Sequence, residues 1–323
     1  MSHSVATTDA ITAGPGVYPL DGGCSCRRVR YRLLTSPLFV HCCHCRWCQR
    51  ESGAAFALNA MIESDRVVEL GAAPELVDTP SASGEGQVIA RCPHCHVAVW
   101  SHYGGAGPLL KFVRVGTLDE PDHLPPDIHI FTASRQPWVV LPAAVPAVAE
   151  YYDRDKYWPA ASLERRRMFL PSVEAYRIEL ANRQSLHSRV FDAPRERVFA
   201  ALRDPARLAR WWGPDGFSST FETFEFFPGG RWVFTMHGPD GRNYPNESVF
   251  IDVTAPERIR FRHLSGHEFD MLITLTDENG RTRVDWRQRF GSADELNRVA
   301  AIVRPANEQN LDRWEAVVNE SVH

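Results

Sequence analysis

Half of the residues between His41 and Cys48 are cysteines, a density that points to metal chemistry. These are Cys42, Cys43, Cys45 and Cys48. A disulfide needs two side chains that approach from separate backbone segments at a defined distance, which one short segment does not offer. Thiolates are also preferred zinc ligands. The segment therefore predicts a metal site rather than disulfides.

The other four cysteines form two short pairs far apart in the sequence. Cys24 and Cys26 lie upstream, and Cys92 and Cys95 lie downstream; all eight cysteines of the chain fall between positions 24 and 95. A closed structural zinc site uses four ligands, commonly from two such turns. We therefore assign a structural zinc ion to Cys24, Cys26, Cys92 and Cys95.

A second zinc ion is assigned to Cys43, Cys45 and Cys48, which have the spacing C-x-C-x-x-C. One short loop cannot easily supply four ligands, and three protein ligands leave a coordination position open for chemistry. Cys42 is then left over, and we interpret it as a bystander. His41 and His44 flank the thiols; they could relay protons, but we favour solvent-facing spacers.

The cysteines follow Gly22-Gly23, and the segment from Ser52 to Phe56 lies between the second and third cysteine groups. This order of motifs resembles that of the glutathione-dependent formaldehyde-activating enzyme and centromere protein V family. The resemblance runs from about Gly22 to about Pro142. It implies two zinc ions divided as above on a mainly β, zinc-ribbon-like (β-tent) fold. It also implies a carbon–sulfur lyase that acts on thiol–aldehyde adducts such as those of glutathione and formaldehyde.

Two residues depart from the family pattern. Cys42 is an additional thiol, and His96 follows the last cysteine where a small residue is usual. Histidine tolerates a left-handed backbone conformation better than most residues, so a tight metal-binding turn is still expected. Alternatively, His96 donates a hydrogen bond to a metal ligand.

The open site would favour one class of reaction. A bound zinc ion lowers the pKa of a thiol that it holds, and the resulting thiolate attacks a carbonyl or is released in the reverse cleavage. We therefore expect Cys43, Cys45 and Cys48 to form the catalytic site, with a small-molecule thiol or aldehyde adduct as substrate. The alternative is a non-catalytic, zinc-stabilised ligand-binding, sensor or adaptor protein.

Composition narrows the remaining possibilities. The chain has 323 residues, an apolar fraction of 44% and a net charge of −4, so it is long enough for two cores and shows no basic footprint for nucleic acid. No apolar stretch approaches the ~20 residues of a membrane span, and no secretory signal precedes the cysteines. We expect a cytoplasmic protein without nucleic-acid or membrane partners.

Changes in pattern divide the chain into four parts. Residues 1–16 have no periodicity and predict a disordered leader. Residues 17–150, which contain short alternating segments separated by Gly and Pro, predict an all-β zinc-binding domain. Residues 151–181 are polar and predict a linker, with the Arg165 to Arg167 run as a solvated connector or an anion site. Residues 182–323 predict a second domain.

This second domain is expected to contain a strand, a helix opened by Asp192 and Pro194, antiparallel strands and a final helix. A capping box at Ser292 predicts a short helix, and Pro305 is expected to restart a longer one with Leu311, Trp314 and Val318 buried. The order predicts an α+β domain whose sheet grips the last helix.

Four short motifs of the second half carry a second resemblance. The Phe191 to Pro194 segment, Trp211 to Pro214, Pro228 to Gly230 and Met236 to Gly241 resemble bacterial members of the activator of heat-shock-protein ATPase homologue family. This resemblance implies a START-like helix-grip fold, which often holds an apolar small molecule between sheet and helix. We therefore expect an apolar ligand here, but no catalytic residue.

Overall fold

The chain divides between Tyr176 and Arg177 into two units, each with its own hydrophobic core. The structure, a computed structural model, describes residues 17–79, 81 and 86–320. The leader expected over residues 1–16 lies outside these residues. Within the same described residues, no helix combines the length and the apolar character that crossing a bilayer requires.

Strands dominate the first unit. In its described part, the strands are β1 (Leu20–Gly23), β2 (Arg30–Leu33), β3 (Phe39–Cys43), β4 (Ala57–Glu63), β5 (Val67–Glu69), β6 (Glu75–Thr79), β7 (Gln87–Arg91), β8 (Ala98–Tyr103), β9 (Leu110–Arg114) and β10 (Ile128–Ile130). The α-helices are α1 (Arg46–Ser52), α2 (Arg154–Tyr157) and α3 (Ala160–Asn182), the last of which crosses the unit boundary. The expected mainly β domain is confirmed, but α1 was not predicted.

Two sheets position the cysteines of this unit. As far as the chain is described, β1, β2 and β5 form one sheet, and the other has the order β10-β3-β4-β9-β8-β7-β6. β10 pairs with β3 in parallel, which brings residues from distant parts of the sequence side by side. Gly22 of β1 is required by close packing, because a Cβ atom there would lie 2.6 Å from the Tyr31 ring.

An ion pair fastens α3 to the sheet of the first unit. Arg165 Nη2 lies 2.5 Å from Glu63 Oε2 in β4, and Arg165 Nη1 donates to the Ser36 carbonyl oxygen at 2.7 Å. The prediction that Arg165 to Arg167 are all solvated is therefore wrong for Arg165, whereas the Arg167 side chain is 69% exposed. The interval predicted as a linker contains α2 and most of α3.

The second unit is an antiparallel sheet with helices, as expected. Its described strands are β11 (Gln184–Phe191), β12 (Ser218–Phe224), β13 (Arg231–His237), β14 (Asn243–Thr254), β15 (Arg258–His263), β16 (Phe269–Glu278) and β17 (Arg281–Phe290), in the order β11-β17-β16-β15-β14-β13-β12. The helices are α4 (Arg195–Arg203), α5 (Pro205–Trp211) and α6 (Ala293–Asn319). A seven-stranded sheet with a long C-terminal helix is consistent with the START-like fold that the sequence resemblance implies.

The ends of these helices differ from the sequence predictions in two places. The capping box of Ser292 with Glu295 is present, but α6 runs through Pro305 without a restart. Proline in a helix interior costs about 3 kcal/mol, which the burial of Leu296 before it and Leu311 after it can offset. Helix α4 begins at Arg195 with Pro194 rather than Asp192 in the capping position.

Indole rings fill the core of the second unit. Trp211 of α5 stacks on Trp314 of α6, with ring centroids 4.5 Å apart and planes inclined by 2°. Trp212 stacks on Trp286 of β17 at 5.3 Å. As expected, Leu311, Trp314 and Val318 are buried, so α6 rests on the core through this face.

Candidate metal centres and active site

The four thiols of the two outer cysteine pairs meet where the turn from β1 to β2 approaches the turn from β7 to β8. Cys24 Sγ lies 3.4 Å from Cys26 Sγ, which lies 3.6 Å from Cys92 Sγ; all four sulfur atoms, including that of Cys95, lie within 4.8 Å of one another. Tetrahedral zinc with bonds of about 2.3 Å separates its thiolates by about 3.8 Å. The donor set and spacing fit a closed metal site.

Two tight turns hold these thiols. The Arg27 amide donates to the Cys24 carbonyl oxygen, and the His96 amide donates to the Cys92 carbonyl oxygen, both at 2.9 Å. Arg27 and His96 have φ values of 63° and 59°, in the left-handed region. The expected left-handed turn at His96 is therefore confirmed. Backbone amides of Val97 and Cys26 lower the pKa of Cys95 to about 6, which favours the thiolate that a metal needs.

The second group of thiols sits where β3 ends and α1 begins. Cys43 is the last residue of β3, Cys45 is the N-cap of α1 and Cys48 lies in its first turn, where the Cys48 amide donates to Cys45 Sγ at 3.4 Å. The three sulfur atoms lie within 4.8 Å of one another. Hydrogen bonds from Cys43 and Cys48 lower the pKa of Cys45 to about 2. Hydrogen bonds from the other two thiols and burial raise the pKa of Cys43, and the pKa of Cys48 is raised to about 12. The group therefore holds one thiolate, on Cys45, and a bound cation would favour loss of the other two protons.

A cavity of about 630 Å³ adjoins this second group, and all three of its thiols line the cavity wall. Aromatic rings supply much of the remaining wall: Trp47, Tyr103, Phe112, Phe131 and Tyr151. Arg114 also lines the cavity, held by Asn59 Oδ1 at 2.6 Å and by Ser101 Oγ at 3.1 Å. The cavity can thus enclose a small molecule, with apolar walls and a positioned cation.

His41 is part of the same wall. It is only 3% exposed, and its Nε2 lies 2.6 Å from the Tyr152 hydroxyl, which in turn accepts a hydrogen bond from the Trp158 indole. Burial, together with the charge of Arg154, lowers the pKa of His41 to about 4, so the ring is neutral near pH 7. His41 Nδ1 has no partner among the described residues. The solvent-facing spacer role expected for His41 and His44 is wrong, because both are buried.

A third group of donor atoms was not predicted. Cys42, interpreted from the sequence as a bystander, lies beside His44 and His129, with its Sγ 3.6 Å from His44 Nε2. His129 could not be found from spacing, because it is a single histidine far along the chain. Only the parallel pairing of β10 with β3 brings it next to Cys42.

The two halves of the chain match two different families. Residues 19–134 match the model of the glutathione-dependent formaldehyde-activating enzyme (GFA) family, and residues 192–319 match that of the activator of Hsp90 ATPase homolog 1-like protein (AHSA1) family. Both resemblances inferred from the sequence are confirmed. We refer to the GFA-like half and the AHSA1-like half. No curated protein sequence matches the chain.

Several solved structures are similar to part of the chain. A protein from Arthrobacter aurescens is 27% identical, with 45% of this chain and 91% of that chain covered and a TM-score of 0.42. A protein from Mycobacterium smegmatis is 24% identical, with coverages of 45% and 96% and a TM-score of 0.40. The AHSA1 protein from Silicibacter pomeroyi is 22% identical, with coverages of 41% and 95% and a TM-score of 0.35.

Proposed function

We propose that the GFA-like half is a zinc-dependent enzyme that makes or breaks the carbon–sulfur bond of a thiol–aldehyde adduct of the glutathione and formaldehyde type. The observation that carries this proposal is the position of Cys43, Cys45 and Cys48 in the wall of a cavity of about 630 Å³. Three thiolates leave one coordination position for a substrate atom. Cys24, Cys26, Cys92 and Cys95 would hold a second, structural zinc ion.

The residues around the cavity suit such a substrate. When bound, zinc would act as a Lewis acid that favours the thiolate form of the substrate sulfur. The Arg114 guanidinium can pair with a carboxylate of a thiol such as glutathione. The rings of Trp47, Tyr103 and Phe112 exclude water from the aldehyde carbon. The cavity is large enough for a small peptide-like thiol.

His41 can move the proton that this reaction requires. In the direction of adduct formation, the thiol gives its proton to His41 Nδ1, the sulfur forms a bond to the carbonyl carbon, and the carbonyl oxygen becomes an alkoxide. His41 then returns the proton to that oxygen, so that no proton is gained or lost overall. The Tyr152 hydroxyl fixes the ring through Nε2 at 2.6 Å. The cleavage direction reverses these steps.

The rate of exchange between formaldehyde and its glutathione adduct tests this function. We expect the wild-type chain to accelerate the exchange above the uncatalysed background, as measured by NMR exchange spectroscopy. Cys45→Ser should abolish the acceleration, and His41→Gln should lower it by about 10²-fold or more. Arg50→Ala, on the exposed side of α1, is the matched control and should keep full activity. Equal rates for wild type and Cys45→Ser would refute the proposal.

For the AHSA1-like half we propose binding of a small, largely apolar molecule that carries a hydrogen-bond acceptor. Three buried indole groups, those of Trp232, Trp286 and Trp314, have Nε1 atoms without a partner among the described residues. A buried donor of this kind normally has an acceptor. A ligand oxygen would satisfy one of them. A non-catalytic ligand-binding or sensor protein is the alternative for the whole chain.

A further inference from the structure

We propose that Cys42, His44 and His129 form a third metal site, which takes zinc or a similar divalent ion through one thiolate and two imidazoles. This site is separate from the seven thiols assigned above and independent of the proposed reaction. Its donor set suits zinc, for which cysteine and histidine are the usual ligands.

The strand pairing places these donors together. Cys42 of β3 and His129 of β10 are direct register partners on neighbouring parallel strands, so their side chains lie on the same face of the sheet. Cys43 is the next residue of β3, and its side chain therefore points to the opposite face. Cys42, His44 and His129 thus lie at the same end of β3 as the three-thiol group, and Cys42 and Cys43 face opposite sides of the sheet.

Distances within the group match those expected around one ion. His44 Nε2 lies 3.6 Å from Cys42 Sγ and 3.0 Å from His129 Nδ1, and the three ligand atoms all lie within 4.8 Å of one another. Around tetrahedral zinc, bonds of about 2.3 Å to sulfur and 2.05 Å to nitrogen give about 3.6 Å between sulfur and nitrogen and about 3.3 Å between two nitrogens. The side chains need to move by only a few tenths of an ångström.

Hydrogen bonding alone does not satisfy these atoms. His44 Nε2 carries either one proton or one lone pair, yet Cys42 Sγ and His129 Nδ1 both lie within its reach. His44 Nε2 can therefore form a good hydrogen bond with Cys42 Sγ or with His129 Nδ1, but not with both. All three residues are buried, with His44 0%, Cys42 2% and His129 6% exposed, so water does not readily substitute. A metal ion would accept a lone pair from each of the three.

Neighbouring side chains hold the backbone at this site. The His44 carbonyl oxygen accepts hydrogen bonds from Gln49 Nε2 at 2.6 Å and from Ser134 Oγ at 3.0 Å. The His44 amide donates to the carbonyl oxygen of Ile130 in β10 at 3.0 Å. These three bonds fix the His44 backbone and so limit the positions that its ring can take.

Metal counting on the full chain tests the proposal. Each protein is stripped of metal, reloaded with excess Zn²⁺, desalted and measured for zinc per chain by plasma mass spectrometry. We expect three ions in the wild type and two in Cys42→Ser and in His129→Gln. His123→Gln is the matched control, since His123 lies on the surface beside Glu120 and should leave the count at three.

A second set of variants separates this site from the proposed active site. Cys45→Ser should bind two ions, and the double variant Cys42→Ser/Cys45→Ser should bind one. If the three-thiol group binds no zinc, Cys45→Ser will match the wild type while Cys42→Ser still loses one ion, so the two proposals fail independently. Counts for Cys42→Ser and His129→Gln equal to that of the wild type overturn the third site.

A Co²⁺ titration of the unmodified chain gives a readout that does not depend on whether a variant folds. One thiolate with two imidazoles gives a weaker sulfur-to-cobalt absorption than three or four thiolates do. We expect a phase of one equivalent with this weaker absorption per ion. Saturation at two equivalents with only thiolate-rich spectra overturns the proposal.

Discussion

Single cysteines of the GFA-like half are expected to have different roles despite their similar chemistry. Replacing Cys92 with Ser removes one of the four proposed zinc ligands that join two turns, and structural zinc contributes on the order of 10 kcal/mol to small domains. We therefore predict that Cys92→Ser unfolds this half. Cys45→Ser should leave the fold intact and lose one zinc ion, because its group lies at the edge of a cavity.

Circular dichroism and zinc content measured on the same samples check this prediction. Cys24→Ser is expected to behave as Cys92→Ser does, since both belong to the closed group. If Cys92→Ser and Cys45→Ser unfold to the same extent, then the division into a structural and a chemical site is wrong.

His263 in the AHSA1-like half predicts a dependence of stability on pH. The ring is 8% exposed and stacks on Phe269 with centroids 4.7 Å apart. Burial lowers its pKa from 6.5 to about 4, so the folded state binds the proton less readily than the unfolded state does. The unprotonated His263 ring therefore contributes roughly 3 kcal/mol to the free energy of unfolding, relative to the protonated ring. This stability is fully present above pH 6.5 and is lost as the pH falls towards 4.

Urea unfolding at pH 7 and at pH 4.5 measures the effect. His263→Gln should reduce the difference in free energy of unfolding between the two pH values. His267, at an exposed position, makes only a lesser charge contribution to the lowered pKa of His263, so His267→Gln should change the difference far less than His263→Gln does. An unchanged difference in His263→Gln would show that other groups cause the pH dependence.

At the scale of elements, the attachment of α3 to β4 depends on one buried carboxylate. Glu63 is 3% exposed, and Arg165 is its closest cationic partner. Arg165→Met should destabilise the first unit by about 3 kcal/mol, because it leaves a buried charge with only Arg66 nearby. The double variant Glu63→Gln/Arg165→Met should recover much of this loss, as measured by thermal and urea unfolding.

Arg167→Met is the matched control on the same helix. Its side chain is 69% exposed and pairs with Glu164 within α3. Surface pairs of this kind contribute little, so we expect a change within about 0.5 kcal/mol. Equal effects of the Arg165 and Arg167 variants would mean that the buried pair does not fasten the helix.

At the scale of the whole molecule, we predict that the two halves fold separately. Fragments of residues 17–176 and 183–323, each expressed alone, should melt cooperatively in calorimetry, because each unit has its own buried core. A zinc chelator should lower the melting temperature of the first fragment and leave that of the second unchanged. Insolubility of the second fragment would indicate that the units depend on each other.

The thiol groups and the secondary structure differ in how far the sequence predicts them. Cysteine spacing separates the thiols into groups that also lie together in space, since residues two or three positions apart on a tight turn cannot separate. Hydrophobic alternation predicted that strands dominate both halves, because period-two patterns reflect local burial. Helix α1 was not predicted, since five of its seven residues are polar and the segment is too short to show a helical pattern.

The sequence by itself determined the two-family composition of the chain, the mainly β and α+β fold classes and the close neighbours among the cysteines, because these depend on local spacing and periodicity. Only the tertiary structure decided which distant residues meet. The parallel pairing of β10 with β3 places His129 beside Cys42, and the burial of His41 beside Tyr152 turns an expected spacer into part of a cavity wall. Such contacts arise from chain topology, which no local pattern of residues encodes.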